Sequence, residues 1–183
     1  RSAPQARAMV EELEISGWVE ATGSAPVTSI TLTKLAWLRE NAPEAAARVE
    51  RVGLPHDWLV SELTGGAWIT DRSEASGSGW FDPASGSIRE DLLERWFGAA
   101  PQVPEVLAPH ASAGTITSDW LPNSPGAVVS AGCGDNAGGG LGLGIGHGDV
   151  VVSVGTSGTV FAHSPHPIAD PTGVTSGFAD ATG

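Results

Sequence analysis

The stretch 131-AGCGDNAGGGLGLGIG-146 places a single aspartate, Asp135, in a run of glycines, and a second glycine loop, 153-SVGTSG-158, follows it. A short apolar segment leads into each loop: 127-AVVSAG-132 precedes the first and 149-DVVVSVG-155 the second. Apolar runs that end in glycine turns indicate short strands. In α/β proteins, ligands bind at the carboxyl ends of strands, so these two loops are the strongest candidates for a functional site.

Asp135 has two interpretations from the residues alone. Aspartate is a preferred residue at helix N-termini, so Asp135 fits the cap or first turn of a helix that starts here. The alternative is a functional carboxylate. Each glycine in a helix interior costs about 1 kcal/mol relative to alanine, and close approach of the backbone to a ligand or a neighbouring element would offset that cost. The residues leave both interpretations open.

The second loop also has two interpretations. Successive backbone N–H groups in such a turn form a nest for an anion, and the hydroxyls of Thr156 and Ser157 add donors. A plain β-turn fits the same residues equally well. The loop is not a P-loop, because no Gly-Lys-Ser/Thr follows it, and it lacks the spacing of a nucleophile elbow.

The rest of the chain predicts an α/β protein whose helices dominate the first half. A third short strand, 159-TVFAH-163, follows the second glycine loop. The segment 70–86 is rich in Ser, Gly and Asp and predicts a loop, and the proline-broken segment 101–110 predicts extended chain. Apolar periodicity, with Pro43 and glycine stop signals, predicts helices over residues 4–19, 28–41, 44–52, 54–66 and 90–98.

Composition excludes several classes of function. The chain has 183 residues and a net charge of −12, with 9 Lys and Arg against 21 Asp and Glu, which argues against binding nucleic acid. No run of about 18 apolar residues predicts a membrane span, no signal peptide opens the sequence, and we expect a cytoplasmic protein. Cys133 is the single cysteine, so no disulfide can form within the chain, and a buried structural thiol is expected.

One cluster of histidines raises the question of a metal site. His163, His166 and Asp170 lie close together in the sequence, but the prolines between them prevent a regular ligand helix, so we predict no metal-ligating residues in this chain. The chain begins with Arg1 rather than Met and ends without a finishing signal. We therefore expect it to be an internal piece of a longer polypeptide.

Several stretches, in this order and spacing, resemble the FGGY family of carbohydrate kinases. The segment 29-SITLTKLAWLREN-41 is similar to the family's first signature. The segments 54-LPHDWLVSELTG-65 and 70-TDRSEASGSG-79 are similar to its Asp-Tyr-Leu and Thr-Asp-x-Ser-x-Ala-Ser segments. The run 133-CGDNAGG-139 is similar to the family's Gly-Asp-Asn/Gln catalytic motif, and 153-SVGTSGTVF-161 to the glycine loop that opens its second lobe.

The resemblance implies a fold and a domain organisation. The fold would be the ribonuclease H-like/actin-like ATPase fold, an α/β architecture with two lobes around a cleft, here truncated at both ends. Residues 1–147 would be the C-terminal part of the first, sugar-binding lobe. Residues 148–183 would be the start of the second, ATP-binding lobe, which is incomplete.

The resemblance also implies a site and a reaction, the ATP-dependent phosphorylation of a sugar hydroxyl. Asp135 would be the general base that takes the proton from the attacking hydroxyl, and Asn136 would hydrogen-bond the sugar. Four residues would hold the phosphate groups of ATP: Gly155, Thr156, Ser157 and Gly158. Phosphoryl transfer depends on positioning, charge stabilisation and a group that accepts a proton, and these residue types meet that requirement.

The substrate, the cofactors and the partners follow from the resemblance as expectations. ATP and Mg²⁺ would be the cofactors and D-xylulose the sugar, with ribulose, gluconate and glycerol as alternatives. Ser29 occupies a signature position that is aromatic in some members, which makes glycerol less attractive. The family's Asp-x-Gly-Thr phosphate loop, an early Lys, a residue that helps to hold Mg²⁺ and the adenine-binding glycines are all absent here, so we predict that this piece alone has little activity. A non-catalytic binding module of the same fold is the alternative, and a homodimer is retained as an expectation.

Overall fold

The computed structural model of the chain describes residues 2–156 and 158–182. Seven helices and eight short strands lie in these residues. The helices are α1 (Ala3–Thr22), α2 (Thr31–Asn41), α3 (Pro43–Ala46), α4 (Pro55–Thr64), α5 (Arg72–Ser76), α6 (Glu90–Phe97) and α7 (Asp135–Leu143). The strands are β1 (Ile69–Asp71), β2 (Phe81–Asp82), β3 (Ser87–Ile88), β4 (Glu105–Leu107), β5 (Ser112–Thr115), β6 (Val128–Ser130), β7 (Val150–Val154) and β8 (Gly158–Ala162).

The hydrophobic core lies among α1, α2 and α6. Leu32, Leu35 and Ala36 recur on one face of α2 at helical spacing and are buried there. α6 contributes Leu92, Leu93 and Phe97 to the same cluster. Trp18 of α1 is 1% exposed, and its indole N–H donates to the carbonyl oxygen of Met9 at 2.7 Å, so its polar atom is satisfied inside the core.

Most of the predicted helices are confirmed, with shifted boundaries. α2 ends before Pro43, and α4 and α6 end at Gly65 and Gly98, which both adopt the left-handed conformation that glycine favours. The helix predicted over 44–52 is wrong, because α3 ends at Ala46. Beyond it, Arg51 pairs with Gln102 in a parallel bridge, and this long-range pairing overrides the local helix propensity.

The predicted loop over residues 70–86 is also wrong. β1, α5 and β2 all lie within or at the edge of this segment. Asp71 explains the helix, because its carboxylate accepts hydrogen bonds from the backbone N–H groups of Ser73 and Glu74 and so caps α5. Parallel pairing of β1 with β4, which aligns Ile69 with Glu105, explains the strand.

The strands of the described residues form four separate pairs. β1 and β4 are parallel, whereas β2–β3, β5–β6 and β7–β8 are antiparallel. The strands predicted over 127–132, 149–155 and 159–163 are confirmed as β6, β7 and β8, and β4 lies in the segment predicted to be extended. None of the helices in residues 2–156 and 158–182 combines the length and the apolar character needed to cross a membrane.

The C-terminal segment returns to the end of α1. The backbone N–H of Gly177 donates to the carbonyl oxygen of Gly23 at 2.8 Å. Gly23 follows α1 with a φ of +74°, and a Cβ on either glycine would collide with a backbone oxygen. Both positions therefore require glycine, and the backbones of the two segments lie in direct contact.

Candidate functional site

Asp135 is the first residue of α7, and Gly134 occupies the N-cap position. The side chain is exposed, and its Oδ1 accepts a hydrogen bond from the N–H of Asn136 at 2.7 Å. A carboxylate in the first turn also interacts favourably with the helix dipole. Asp135 is thus a first-turn residue, and its exposed carboxylate remains accessible to a ligand. Asn136, the next residue, is also exposed.

The glycines before α7 allow the loop to approach other elements closely. Gly132 has a φ of +91°, and a Cβ there would collide with Nε2 of His56. A Cβ on Gly134 would lie 3.2 Å from Oε1 of Glu74 and 3.5 Å from the hydroxyl of Ser73. Inside α7, a Cβ on Gly138 would lie 2.9 Å from the sulfur of Cys133. At each of these three glycines, the atoms that the backbone approaches closely belong to side chains of the protein itself.

His56, in the first turn of α4, lies beside two buried carboxylates. Its Nδ1 is 3.2 Å from Oδ1 of Asp57 and 3.9 Å from Oδ2 of Asp71. The hydrogen bond with Asp57 raises the pKa of His56 above its ordinary value of 6.5, and the charges of Asp57, Asp71 and Glu74 add to the effect against partial burial. The neighbouring carboxylates therefore stabilise the imidazolium form of His56 relative to an imidazole in water.

Asp71 and Ser73 form a buried pair under the Asp135 loop. They are 3% and 5% exposed. Oδ1 of Asp71 accepts from the backbone N–H and the hydroxyl of Ser73, and from the N–H of Glu74. Within the described residues, Oδ2 of Asp71 has no hydrogen-bond partner. The same Ser73 hydroxyl accepts from the N–H of Gly134 at 2.8 Å, which connects α5 directly to the start of α7.

Glu74 adds a further carboxylate near Asp135. Burial raises the pKa of Glu74 above its ordinary value, and the charges of Asp71, Asp57 and Asp135 raise it further, while His56 opposes them. The electrostatic effect of Asp135 on Glu74 indicates that the two side chains share one acidic environment. His56 is the group that lowers the pKa of Glu74 among these causes.

The second glycine loop lies at the tip of the β7–β8 hairpin. Gly155 and Thr156 are exposed after β7, and Gly158 is the exposed first residue of β8. Ser157, predicted to bind phosphate with them, lies outside the described residues. α7 and this hairpin meet at Gly140, where a Cβ would lie 3.6 Å from a ring carbon of Phe161. Phe161 of the hairpin therefore lies close to the helix that begins with Asp135.

Cys133 does not lie in the hydrophobic core. The prediction that Cys133 is buried is wrong, because it lies on the exposed loop that leads into α7. Partial burial and the charges of Asp71 and Glu74 raise the pKa of its thiol, which disfavours the reactive thiolate.

Across residues 2–156 and 158–182, no group of three His, Cys, Asp or Glu side chains could hold a metal ion.

Sequence reasoning missed four residues that surround the start of α7: His56, Asp71, Ser73 and Glu74. They are distant from Asp135 in the sequence, so periodicity and spacing give no indication of their contacts. A signal was nevertheless present, because the stretches 54–65 and 70–79 carry part of the family resemblance.

Comparison with known proteins identifies the class. The model of the N-terminal domain of the FGGY family of carbohydrate kinases matches residues 1–142. This match covers most of the chain, so the chain belongs to the FGGY family of carbohydrate kinases, as its sequence motifs indicated. Its fold is the α/β fold of the actin-like ATPases that these kinases share.

Particular relatives are xylulose kinases. The xylulose kinase of Streptomyces coelicolor is 48% identical over 185 residues, which covers 100% of this chain and 38% of that protein. The xylulose kinase of Streptomyces rubiginosus is 47% identical with the same coverage. The crystal structure of xylulose kinase from Bifidobacterium adolescentis has a TM-score of 0.90 at 38% identity, covering 99% of this chain and 44% of that one. The chain thus spans less than half the length of each of these relatives.

Proposed function

We propose that the protein to which this chain belongs transfers the γ-phosphoryl group of ATP to a hydroxyl of D-xylulose and yields D-xylulose 5-phosphate. The observation that carries the proposal is the exposed carboxylate of Asp135 at the start of α7, in a chain of the FGGY family. The choice of sugar is supported by the two Streptomyces xylulose kinases, which are 48% and 47% identical to the chain along its whole length. Ribulose, gluconate and glycerol are the alternative acceptors.

Asp135 is the general base in this proposal. Its carboxylate accepts the proton of the sugar hydroxyl while the hydroxyl oxygen attacks the γ-phosphorus, and ADP leaves. Its exposure supports this role, as does the absence of an ion pair to Asp135 among the described residues, because the carboxylate is available to a ligand. Asn136 offers an exposed amide one residue further on, which suits a hydrogen bond to the sugar.

The phosphate groups of ATP are assigned to the hairpin tip. Gly155, Thr156 and Gly158 are exposed there, and backbone N–H groups with a threonine hydroxyl suit an anion. Ser157 is included on the sequence motif alone. Residues 1–147 then belong to the sugar-binding lobe and residues 148–183 to the start of the ATP-binding lobe.

Mg²⁺ accompanies ATP in this proposal, but its ligands are not assigned to this chain. In the described part of the chain, no group of three His, Cys, Asp or Glu side chains has an arrangement that could hold a metal ion, and this includes the acidic side chains near Asp135. The metal would supply charge neutralisation on the phosphate oxygens. The role of Asp135 as proton acceptor does not depend on which residues hold the metal.

The experiment that tests the proposal is a panel of acceptors assayed with the full-length protein. ADP release is measured with ATP and either D-xylulose, D-ribulose, gluconate or glycerol. We expect the highest kcat/KM with D-xylulose. A higher value with another acceptor would reassign the substrate, and no turnover with any acceptor would favour a non-catalytic module.

A variant of Asp135 tests the role of the base. Asp135→Asn preserves the size of the side chain but removes the proton acceptor, so we expect kcat to fall by about 10²- to 10⁴-fold. Sugar binding, measured by calorimetry, should remain close to that of the unaltered protein. Asp149→Asn is the matched control, since Asp149 is an exposed aspartate immediately before β7 whose Oδ2 accepts from the N–H of Gly146. Equal turnover of both variants would refute the base role.

A further inference from the structure

A hydrogen bond joins α5 to the residue immediately before Asp135. The N–H of Gly134 donates to the hydroxyl of Ser73 at 2.8 Å, across 61 positions of sequence. Gly134 is the N-cap residue of α7, so this bond anchors the peptide between Cys133 and Gly134, one residue before Asp135. The orientation of the Asp135 carboxylate therefore depends on where Ser73 is held.

Ser73 is held by a buried carboxylate. Its hydroxyl donates to Oδ1 of Asp71 and accepts from Gly134, so it acts as donor and acceptor at once. Asp71 is fixed in turn by the backbone N–H groups of Ser73 and Glu74. Both side chains are more than nine-tenths buried, and a charge-assisted hydrogen bond in such surroundings is stronger than one exposed to water.

The loop is held on a second side as well. Gly132 lies against Nε2 of His56, whose other ring nitrogen faces Asp57 and Asp71. The loop from Gly132 to Gly134 thus contacts side chains of α4 and α5. Asp71 lies next to both of the side chains involved, His56 and Ser73. A Cβ on Gly134 would make an ordinary contact with that hydroxyl at 3.5 Å and a tighter one with Oε1 of Glu74 at 3.2 Å.

We propose that Asp71 and Ser73 are positioning residues for the reaction, which orient the Asp135 carboxylate through the N–H of Gly134. This inference rests on the proposed function, because it takes Asp135 as the general base. Removal of the Ser73 hydroxyl breaks the link selectively. Asp71 would still accept from the two backbone N–H groups and cap α5, whereas Gly134 would lose its acceptor.

The test compares Ser73→Ala with Ser76→Ala in the full-length protein. Ser76 lies in the same helix and is 1% exposed, but its hydroxyl donates to the carbonyl of Arg72 and accepts from the N–H of Ala179. Hydrogen exchange of the peptide that contains Gly134 is measured by mass spectrometry, and steady-state kinetics are measured with ATP and D-xylulose. Only the substitution at Ser73 should affect the residue before Asp135.

In Ser73→Ala, we expect exchange at Gly134 to accelerate by about 5- to 10-fold, as for the loss of one hydrogen bond. We expect kcat to fall by about 10-fold or more with the KM for the sugar changed by less than about 2-fold, since misplacement of a catalytic group affects the chemical step. Ser76→Ala should leave both quantities close to those of the unaltered protein.

Equal exchange at Gly134 in the two variants would overturn the proposal, and so would an unchanged kcat in Ser73→Ala. Failure of the proposed function gives a different result. The unaltered protein would then show no turnover, and the catalytic part of the inference would fall with it. The exchange comparison would still decide whether Ser73 holds the loop.

Discussion

The region before residue 108 and the region after it are stabilised in different ways. In the first region, twelve buried side chains from Met9 to Phe97 form one hydrophobic cluster. In the second region, Ala131 is the only buried hydrophobic side chain among the described residues. Val150, Val152 and Val154 are all exposed there, Val154 by 84%. Packing of side chains stabilises the first region, whereas backbone hydrogen bonds of hairpins and one helix stabilise the second.

The residues proposed to act in the reaction lie in the second region, but the first region holds the Asp135 loop in place. His56 and Ser73, both in the first region, contact Gly132 and Gly134. Functional groups are commonly placed on loops that a rigid scaffold positions. Stability and activity should therefore respond to different substitutions in this chain.

The largest effect is expected from a cavity in the core. Leu93 is 0% exposed in the cluster, and Leu93→Ala should lower the free energy of unfolding by about 2–5 kcal/mol through lost burial and a residual cavity. Leu143→Ala is the matched control, because Leu143 is a helical leucine of the second region that is 65% exposed. Its loss should be about 0.5 kcal/mol or less in urea denaturation. Similar losses in the two variants would contradict the contrast between the regions.

A smaller effect is expected at the Asp135 loop, through which the second region contacts the first. Gly132→Ala places a Cβ against the ring of His56 at a φ of +91°. Gly148 has the same φ of +91°, but a Cβ added there would meet no atom within 4 Å, so Gly148→Ala isolates the backbone strain. We expect Gly132→Ala to lose about 1–3 kcal/mol more than Gly148→Ala, as for other overpacked contacts. Equal losses in thermal unfolding would mean that the His56 ring moves aside without cost.

The smallest effect is expected from titration of His56. Its pKa is raised in the folded protein, chiefly by the hydrogen bond with Asp57, so the protonated form contributes stability. That contribution is fully present below the ordinary value of 6.5 and is lost as the pH rises through the raised pKa. The unaltered protein should therefore be more stable at about pH 6 than at about pH 8 by an amount that His56→Gln lacks.

Urea denaturation at several pH values measures this difference, and His110→Gln, at an exposed histidine, is the control. Burial also raises the pKa of Glu74, and a carboxyl group with a raised pKa changes stability in the same direction, in a window that begins above its ordinary value of 4.5. An identical pH dependence in the unaltered protein and His56→Gln would show that His56 contributes nothing.

Local signals predict the helical elements better than the contacts between them. Pro43, Gly65 and Gly98 determine where α2, α4 and α6 end, and each residue acts on its own stretch of backbone. The composition of segment 70–86 predicts a loop, yet Asp71 caps a helix there and β1 pairs with a strand 36 positions later in the register Ile69↔Glu105. Pairing of that kind depends on tertiary structure.

The site shows the same division. Asp135 in the first turn of α7 follows from the glycine-rich motif, because a motif is a local pattern. The bond between Ser73 and Gly134 and the contact between His56 and Gly132 join distant parts of the chain, so periodicity cannot reveal them. The expectation of a buried Cys133 is wrong because it rests on the common burial of thiols, whereas the exposed loop decides where this cysteine lies.

The backbone contact between Gly23 and Gly177 bears on the order in which the chain folds. It closes a loop of about 150 residues, which makes it one of the entropically most expensive contacts to form early. We expect α1, α2 and α6 to assemble first and the C-terminal segment to dock onto them afterwards. Pulse-labelling hydrogen exchange during refolding would then show protection of the Gly177 amide later than that of the α2 amides, and simultaneous protection would refute this order.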